Sequence, residues 1–173
     1  MNHRILVTYA TRAGSTQEVA NYIGKVLHEA GAEVDIRSIQ DISDIRQYNG
    51  AIIGSAIRVG KPLPEAVKFV KQFKATLDNI PSAYFVVCAT LSEDTLENRK
   101  IVETYLNPLC AIHQPLRTGF FAGKVDRTKL EQPMRFFLRF AKEPPMSGGD
   151  WRNWDAIEDW AESLVPDFVP VKV

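Results

Sequence analysis

Short apolar runs alternate with amphipathic helical periods through the first 120 residues of the chain. Ile5 to Tyr9 is a β-rich run that ends in a Thr/Gly/Ser cluster. Val19, Ile23, Leu27 and Ala30 then recur at helical spacing, with Gly31 placed to stop the helix. Val34, Ile36 and Ser38 alternate as a second strand, and Ala51 to Ile57 is continuously apolar, the pattern of a central strand buried on both faces. Pro62 and Pro64 introduce a helix whose Val67, Val70, Phe73 and Leu77 share one face. Ala83 to Leu91 reads as a fourth strand, Val102, Tyr105, Leu106 and Leu109 as a helix, and Gly119 to Ala122 as part of a fifth strand. Ile157, Trp160, Ala161 and Leu164 mark the last amphipathic helix. Parallel strands need crossovers, and helices between strands supply them with a right-handed sense. The rhythm predicts an α/β domain with a doubly wound parallel sheet of five strands in order 2-1-3-4-5. Ligands are then expected outside the carboxyl ends of strands one and three, where the order reverses.

One stretch breaks the rhythm. Gly123 to Asp150 is too long for an ordinary connection and reads as a loop/helix insertion after strand five, at about 124–150. Residues 124–142 hold six Lys/Arg against two Asp/Glu, whereas residues 143–173 hold two against seven. The formal net charge of zero thus hides a basic insertion and an acidic tail. Leu130, Met134, Phe137, Leu138 and Ala141 fall on one helical face, with Pro133 suited to a first turn and Arg135, Arg139 and Lys142 on another face. Three readings stay open: a helix docked on the domain, an interfacial helix touching a membrane or quinone with its basic residues on anionic lipid, and a dimer contact.

At 173 residues, one domain spanning 1–173 is expected, large enough to bury its own core. Zero net charge argues against a protein held to nucleic acid by phosphate neutralisation. Cys88 and Cys110 are too few for a disulfide framework or zinc site, and His3, His28 and His113 lack ligand spacing. The start, Met1-Asn2-His3-Arg4 followed by only Ile5, Leu6 and Val7 before Thr8, and the lack of an apolar run of about 20 residues predict a soluble cytoplasmic domain. Peripheral contact with the inner face of the cell membrane through 124–142 stays open. Cys88 is expected to be a small buried hydrophobe, and Trp151, Trp154 and Trp160 to pack around the final helix.

The turn after the first strand, Tyr9-Ala10-Thr11-Arg12-Ala13-Gly14-Ser15-Thr16, carries the strongest chemical signal. A hydroxyl-rich, glycine-containing turn opening a helix suits a phosphate monoester: free amides point at the anion, the helix N-terminus adds positive potential, and hydroxyls donate directly. Gly14 admits a close backbone approach, and Arg12 can add charge. A plain N-capped helix uses the same residue types. Other nucleotide fingerprints fail. G-x-G-x-x-G is missing, and Gly54 to Lys61 departs from a P-loop in its spacing and in Pro62 where Ser or Thr should stand. Strand three, Ile52-Ile53-Gly54-Ser55-Ala56-Ile57, lacks the terminal aspartate of a phosphorylated receiver.

From Val7 through Ile23 the order apolar–x–aromatic–x–Thr–x–x–Gly–x–Thr–x–x–x–Ala–x–x–Ile resembles the FMN phosphate signature of flavodoxins, departing at Thr8. Gly54-Ser55-Ala56-Ile57-Arg58-Val59-Gly60, Pro81-Ser82-Ala83-Tyr84-Phe85 and Met146-Ser147-Gly148-Gly149 are similar to a subgroup of that family, the quinone-dependent protoporphyrinogen dehydrogenases. The resemblance implies a flavodoxin-like fold and FMN as cofactor. Thr11, Arg12, Ala13, Gly14, Ser15 and Thr16 would hold the phosphate. Ser55, Ala56, Ile57, Arg58 and Val59 would flank one side of the flavin ring, and Thr90, Leu91 and Ser92 the other. In that picture Ile57 and Val59 offer apolar contact, and Arg58 favours negative charge on the reduced ring. The implied activity is dehydrogenation of protoporphyrinogen IX, in heme biosynthesis, with a quinone as acceptor; no side chain is nominated as acid or base. Flavodoxins that only carry electrons look strongly acidic, so neutrality plus a basic loop suits a quinone or a carboxylate-bearing substrate. An electron carrier without a small-molecule substrate, and a binding module that has lost its cofactor, are the rival functions.

Overall fold

The computed structural model describes residues 3–125 and 148–170. Five parallel strands form the sheet: β1 (Arg4–Ala10), β2 (Glu33–Ser38), β3 (Gly50–Arg58), β5 (Ser82–Cys88) and β6 (Arg117–Ala122), in spatial order β2-β1-β3-β5-β6. Counting these long strands alone, that is the expected 2-1-3-4-5. The short β4 (Lys61–Pro62) folds back antiparallel on the end of β3.

Side chains on the central strands alternate between two cores, as a period of two requires. Leu6, Ile53, Tyr84 and Val86 face one layer, which holds α2 (Pro64–Leu77), α3 (Leu96–Tyr105) and the short α4 (Asn107–Cys110). Ile5, Val7, Ile52, Phe85 and Val87 face the other, packed by α1 (Ser15–Glu29) and α5 (Trp154–Phe168). With both faces covered, β1, β3 and β5 carry almost continuous burial, which explains their unbroken apolar sequences. The polar exception is Thr8. Its side chain is fully buried, and its hydroxyl donates to the Arg37 carbonyl on the edge strand β2 at 2.9 Å, so the departure from the apolar pattern is satisfied locally.

Three boundaries and one buried face differ from the sequence reading. The run Ala83 to Leu91 is not one strand: the ladder with β6 stops at Cys88, opposite Ala122, and Thr90–Ser92 forms a 3-10 turn that buries Leu91. The helix expected over Val102 to Leu109 is two helices, broken at Leu106 before Pro108, where a proline disfavours continuation. Pro62 belongs to β4, so Pro64 alone opens α2. On α2 the buried stripe is Ala66, Phe69, Val70 and Leu77, with Val67 and Phe73 only partly covered.

The expected insertion starts and ends in a small antiparallel pair, β7 (Lys124–Val125) against β8 (Gly149–Asp150). The helix expected around Leu130 to Lys142, and Met146 and Ser147, lie outside the described residues. Trp154 opens α5 against Tyr22, with ring centroids 5.1 Å apart. Trp160 packs edge-on against Phe85 and Phe121 and donates from Nε1 to the Thr118 carbonyl at 2.8 Å. Cys88 is buried, and burial pushes its thiol pKa up. Among the described residues no helix is long and apolar enough to cross a membrane.

Candidate functional site

In the sheet register Ala10 pairs with Ser55, Ala56 with Val87, and Cys88 with Ala122. The connections that follow β1, β3 and β5 therefore leave the same edge of the sheet side by side, the place where a doubly wound sheet takes ligands.

The turn Thr11–Gly14 is short and braced from within. Gly14 sits at φ +94°, a left-handed conformation that a side chain would strain, and its N–H donates to Thr11 Oγ1 at 3.0 Å. Helix α1 begins at the next residue with no side-chain cap, so the first-turn amides keep the free donors of a helix start. A Cβ built on Gly14 would meet nothing within 4 Å, so there is open space over this backbone. Thr16 supplies the sharpest observation: it is fully buried, and its Oγ1 has no hydrogen-bond partner among the described residues. A buried hydroxyl without a partner costs on the order of 1–3 kcal/mol, a cost that an acceptor oxygen from a ligand would offset. Helix amides, a glycine cradle and an unsatisfied hydroxyl together fit a phosphate monoester. A plain N-cap explains the residue types but not the orphaned Thr16.

Arg12 is engaged within the chain. Its guanidinium pairs with Glu65 in the first turn of α2, and Nη1 donates to the Thr11 carbonyl at 3.4 Å. Burial pushes the Glu65 carboxyl upward, but its own N–H and the Arg12 guanidinium outweigh this and hold it below the usual range. Arg12 thus ties the loop to α2, on the side of a cleft of about 270 Å³ whose lining includes Tyr9, Gln40 and Glu65. On the opposite side of the turn, a Cβ at Gly123 would come within 3.2 Å of Ser15 Oγ, so the end of β6 abuts the start of α1.

The segment expected to flank a ring on one side forms a two-residue hairpin between β3 and β4, Ile57 opposite Pro62 and Arg58 opposite Lys61. Val59 (φ 51°) and Gly60 (φ 68°) are both left-handed, which matches the turn type that suits tight hairpins but is strained for a β-branched residue. Val59 is 89% exposed at the tip. Ala56 and Ile57 are half-buried against the α2 core, and Arg58 is exposed. Ser55 is fully buried. Its hydroxyl donates to the Ala56 carbonyl at 2.8 Å and accepts from the Leu63 N–H at 2.9 Å, so it holds the hairpin to the start of α2 and leaves only backbone for a ligand. On the other side Leu91 is buried in the core, while Thr90 and Ser92 are half-exposed. Thr90 Oγ1 lies 3.2 Å from the Tyr105 hydroxyl.

Five residues of the neighbourhood escaped the sequence reading. Glu65 is an acidic residue of the kind favoured in any first helical turn, so nothing local marks it. Tyr105 read as one more apolar position. Arg152, whose side chain is only 6% exposed, pairs with Asp150 and with Glu18 in the first turn of α1 and stacks 4.7 Å over the Trp154 ring. Its bidentate hold keeps the Asp150 carboxyl below its ordinary range. Glu18 and Arg152 are 134 positions apart, and no local pattern couples them.

Comparison with known proteins extends the picture. The family model described as "Flavodoxin domain" matches residues 6–148. The Escherichia coli (strain K12) protein named "Protoporphyrinogen IX dehydrogenase [quinone]" is 24% identical over 174 aligned residues, covering 93% of this chain and 94% of its own length. A Leishmania major protein of the same name is 26% identical, covering 91% of this chain and 70% of its own. Among solved structures, the Streptococcus pneumonia TIGR4 flavodoxin superposes with a TM-score of 0.57 at 15% identity, over 94% of this chain and 98% of that one.

Proposed function

The chain belongs to the flavodoxin domain family, which makes FMN its cofactor, and on that premise we propose that it is an FMN-dependent oxidoreductase that dehydrogenates protoporphyrinogen IX with a quinone as electron acceptor. The observation that carries the substrate is the similarity to proteins named for that reaction, which runs along nearly the whole of both chains in the bacterial case. In this reading residues 1–173 form one flavodoxin-like domain with an insertion at about 124–150, and that basic segment is the candidate contact with quinone or a membrane surface. The protein then works in the cytoplasm, at or near the inner face of the cell membrane.

The division of labour follows from the site. Amides of Ser15 and Thr16, the Thr16 hydroxyl and the open backbone at Gly14 would hold the phosphate, with Thr11 bracing the turn through Gly14 and Arg12 fastening it to α2 through Glu65. Ala13 completes the turn. Ala56, Ile57 and Val59 would offer apolar surface to one side of the ring and Arg58 positive charge, with Ser55 acting through its backbone. Thr90 and Ser92 would stand on the other side, with Leu91 anchoring their turn in the core. The bound flavin would supply two-electron redox chemistry between donor and acceptor. The chain's own part is to bind, orient and shield; no side chain in the site is assigned as an acid or base.

The test is anaerobic stopped-flow titration of FMN-reconstituted protein with protoporphyrinogen IX, then with a quinone. Bleaching of the flavin absorbance by porphyrinogen and its recovery with quinone is the expected result. Bound FMN that porphyrinogen leaves oxidised would overturn the substrate and favour an electron carrier without a small-molecule substrate.

A further inference from the structure

We propose that Tyr105 is a positioning residue that sets the spacing between the two walls of the flavin ring site, an inference that rests on the FMN reading above. The walls are the hairpin turn Val59–Gly60 and the 3-10 turn Thr90–Ser92, which follow different strands. Tyr105, at the end of α3, reaches toward both. A Cβ on Gly60 would lie 3.4 Å from Tyr105 Cε1 and 3.9 Å from Cδ1 and Cζ, so the phenol ring stands behind the hairpin turn with room for little more than one carbon atom between them. The hydroxyl of the same side chain is 3.2 Å from Thr90 Oγ1 and ties the other wall.

Both ends of this brace need support. Two consecutive left-handed residues, one of them Val59, form a turn that survives only where its surroundings hold it. The Thr90 turn begins where the β5–β6 ladder ends, so the sheet no longer restrains it. Tyr105 is itself a fixed reference, because Val102 and Leu106 on either side of it are buried in the core. A planar ring held between two surfaces loses much of its contact when their separation changes by about 0.5–1 Å, so a brace between the walls acts on the ring and not on the phosphate.

The experiment uses the full chain with Tyr105→Phe, Thr90→Val and the double variant. It measures thermal midpoints and dissociation constants for FMN, riboflavin and inorganic phosphate. Tyr105→Phe keeps the ring behind Gly60 and removes only the hydroxyl. It is expected to weaken FMN and riboflavin by the same factor, about threefold to tenfold for one hydrogen bond, with phosphate affinity unchanged. The visible spectrum of the bound flavin shifts with it. Thr90→Val reproduces this, and the double variant is no worse than either single one, because both cut the same link. Unchanged FMN and riboflavin affinity in Tyr105→Phe overturns the proposal while leaving the FMN site standing. Equal losses for phosphate and flavin, or additive losses in the double variant, overturn it as well. Failure of the unaltered protein to bind FMN removes the premise and the proposal together.

Discussion

Replacing Thr16 with valine should make the protein more stable without its cofactor and worse at holding it. The hydroxyl is fully buried and its Oγ1 has no partner among the described residues. Valine has nearly the same shape and is tolerated at a helical position already occupied by a β-branched residue. Removing an unsatisfied buried hydroxyl returns on the order of 1–3 kcal/mol to the cofactor-free fold. At about 2–4 °C per kcal/mol for a domain of this size, the midpoint should rise by roughly 2–12 °C. In the proposed site the same hydroxyl would donate to a charged phosphate oxygen of FMN, a bond of about 1.5–3 kcal/mol, so the dissociation constant should rise about tenfold to a hundredfold. Differential scanning calorimetry of the FMN-free protein and quenching of flavin fluorescence on titration read the two effects separately. A lower midpoint together with unchanged FMN affinity would refute the reasoning, because Thr16 would then be a satisfied core residue unrelated to the phosphate.

Three further outcomes are expected. Val59→Gly relieves a left-handed β-branched residue that is 89% exposed, and should raise stability by about 1 kcal/mol in urea titration. Gly54→Ala should destabilise by about 1–3 kcal/mol, since its Cβ would fall 2.1 Å from Phe85 Cζ on the neighbouring strand; Phe85→Leu in the same chain should recover part of the loss. Asp150, whose carboxyl Arg152 holds below the ordinary range, contributes stability that is full above its unfolded pKa of about 3.9 and is lost as pH falls through the lower folded value. Midpoints of the parent and Asp150→Asn should therefore differ at neutral pH and converge below about pH 4.

How much was legible depended on how local the cause was. The β1–turn–α1 unit could be read because its determinants, apolar alternation, Gly14 and the hydroxyls of Thr11 to Thr16, lie within a few positions of one another. The hairpin at Arg58–Lys61 could not. A strained valine stands where asparagine or glycine would announce such a turn, and Pro62 looks like a helix opener. Ser55 and Leu91 sit in the expected segments but face the core. A stretch of sequence names the residues of a loop without saying which of them point inward.

Periodicity by itself determined the layering of helices on a parallel sheet, and with the resemblance to flavodoxins it implied the strand order and the edge where a ligand belongs. These follow from which side chains must leave water and how parallel strands can be joined. Only the tertiary structure decided that Thr16 Oγ1 is left without a partner among the described residues, that Arg12 is claimed by Glu65, that Arg152 reaches Glu18 and that the Tyr105 hydroxyl lies beside Thr90. Each of those depends on distances between segments far apart in the chain. Hydrogen bonds and ion pairs are decided over tenths of an ångström, a scale on which residue order alone carries no information.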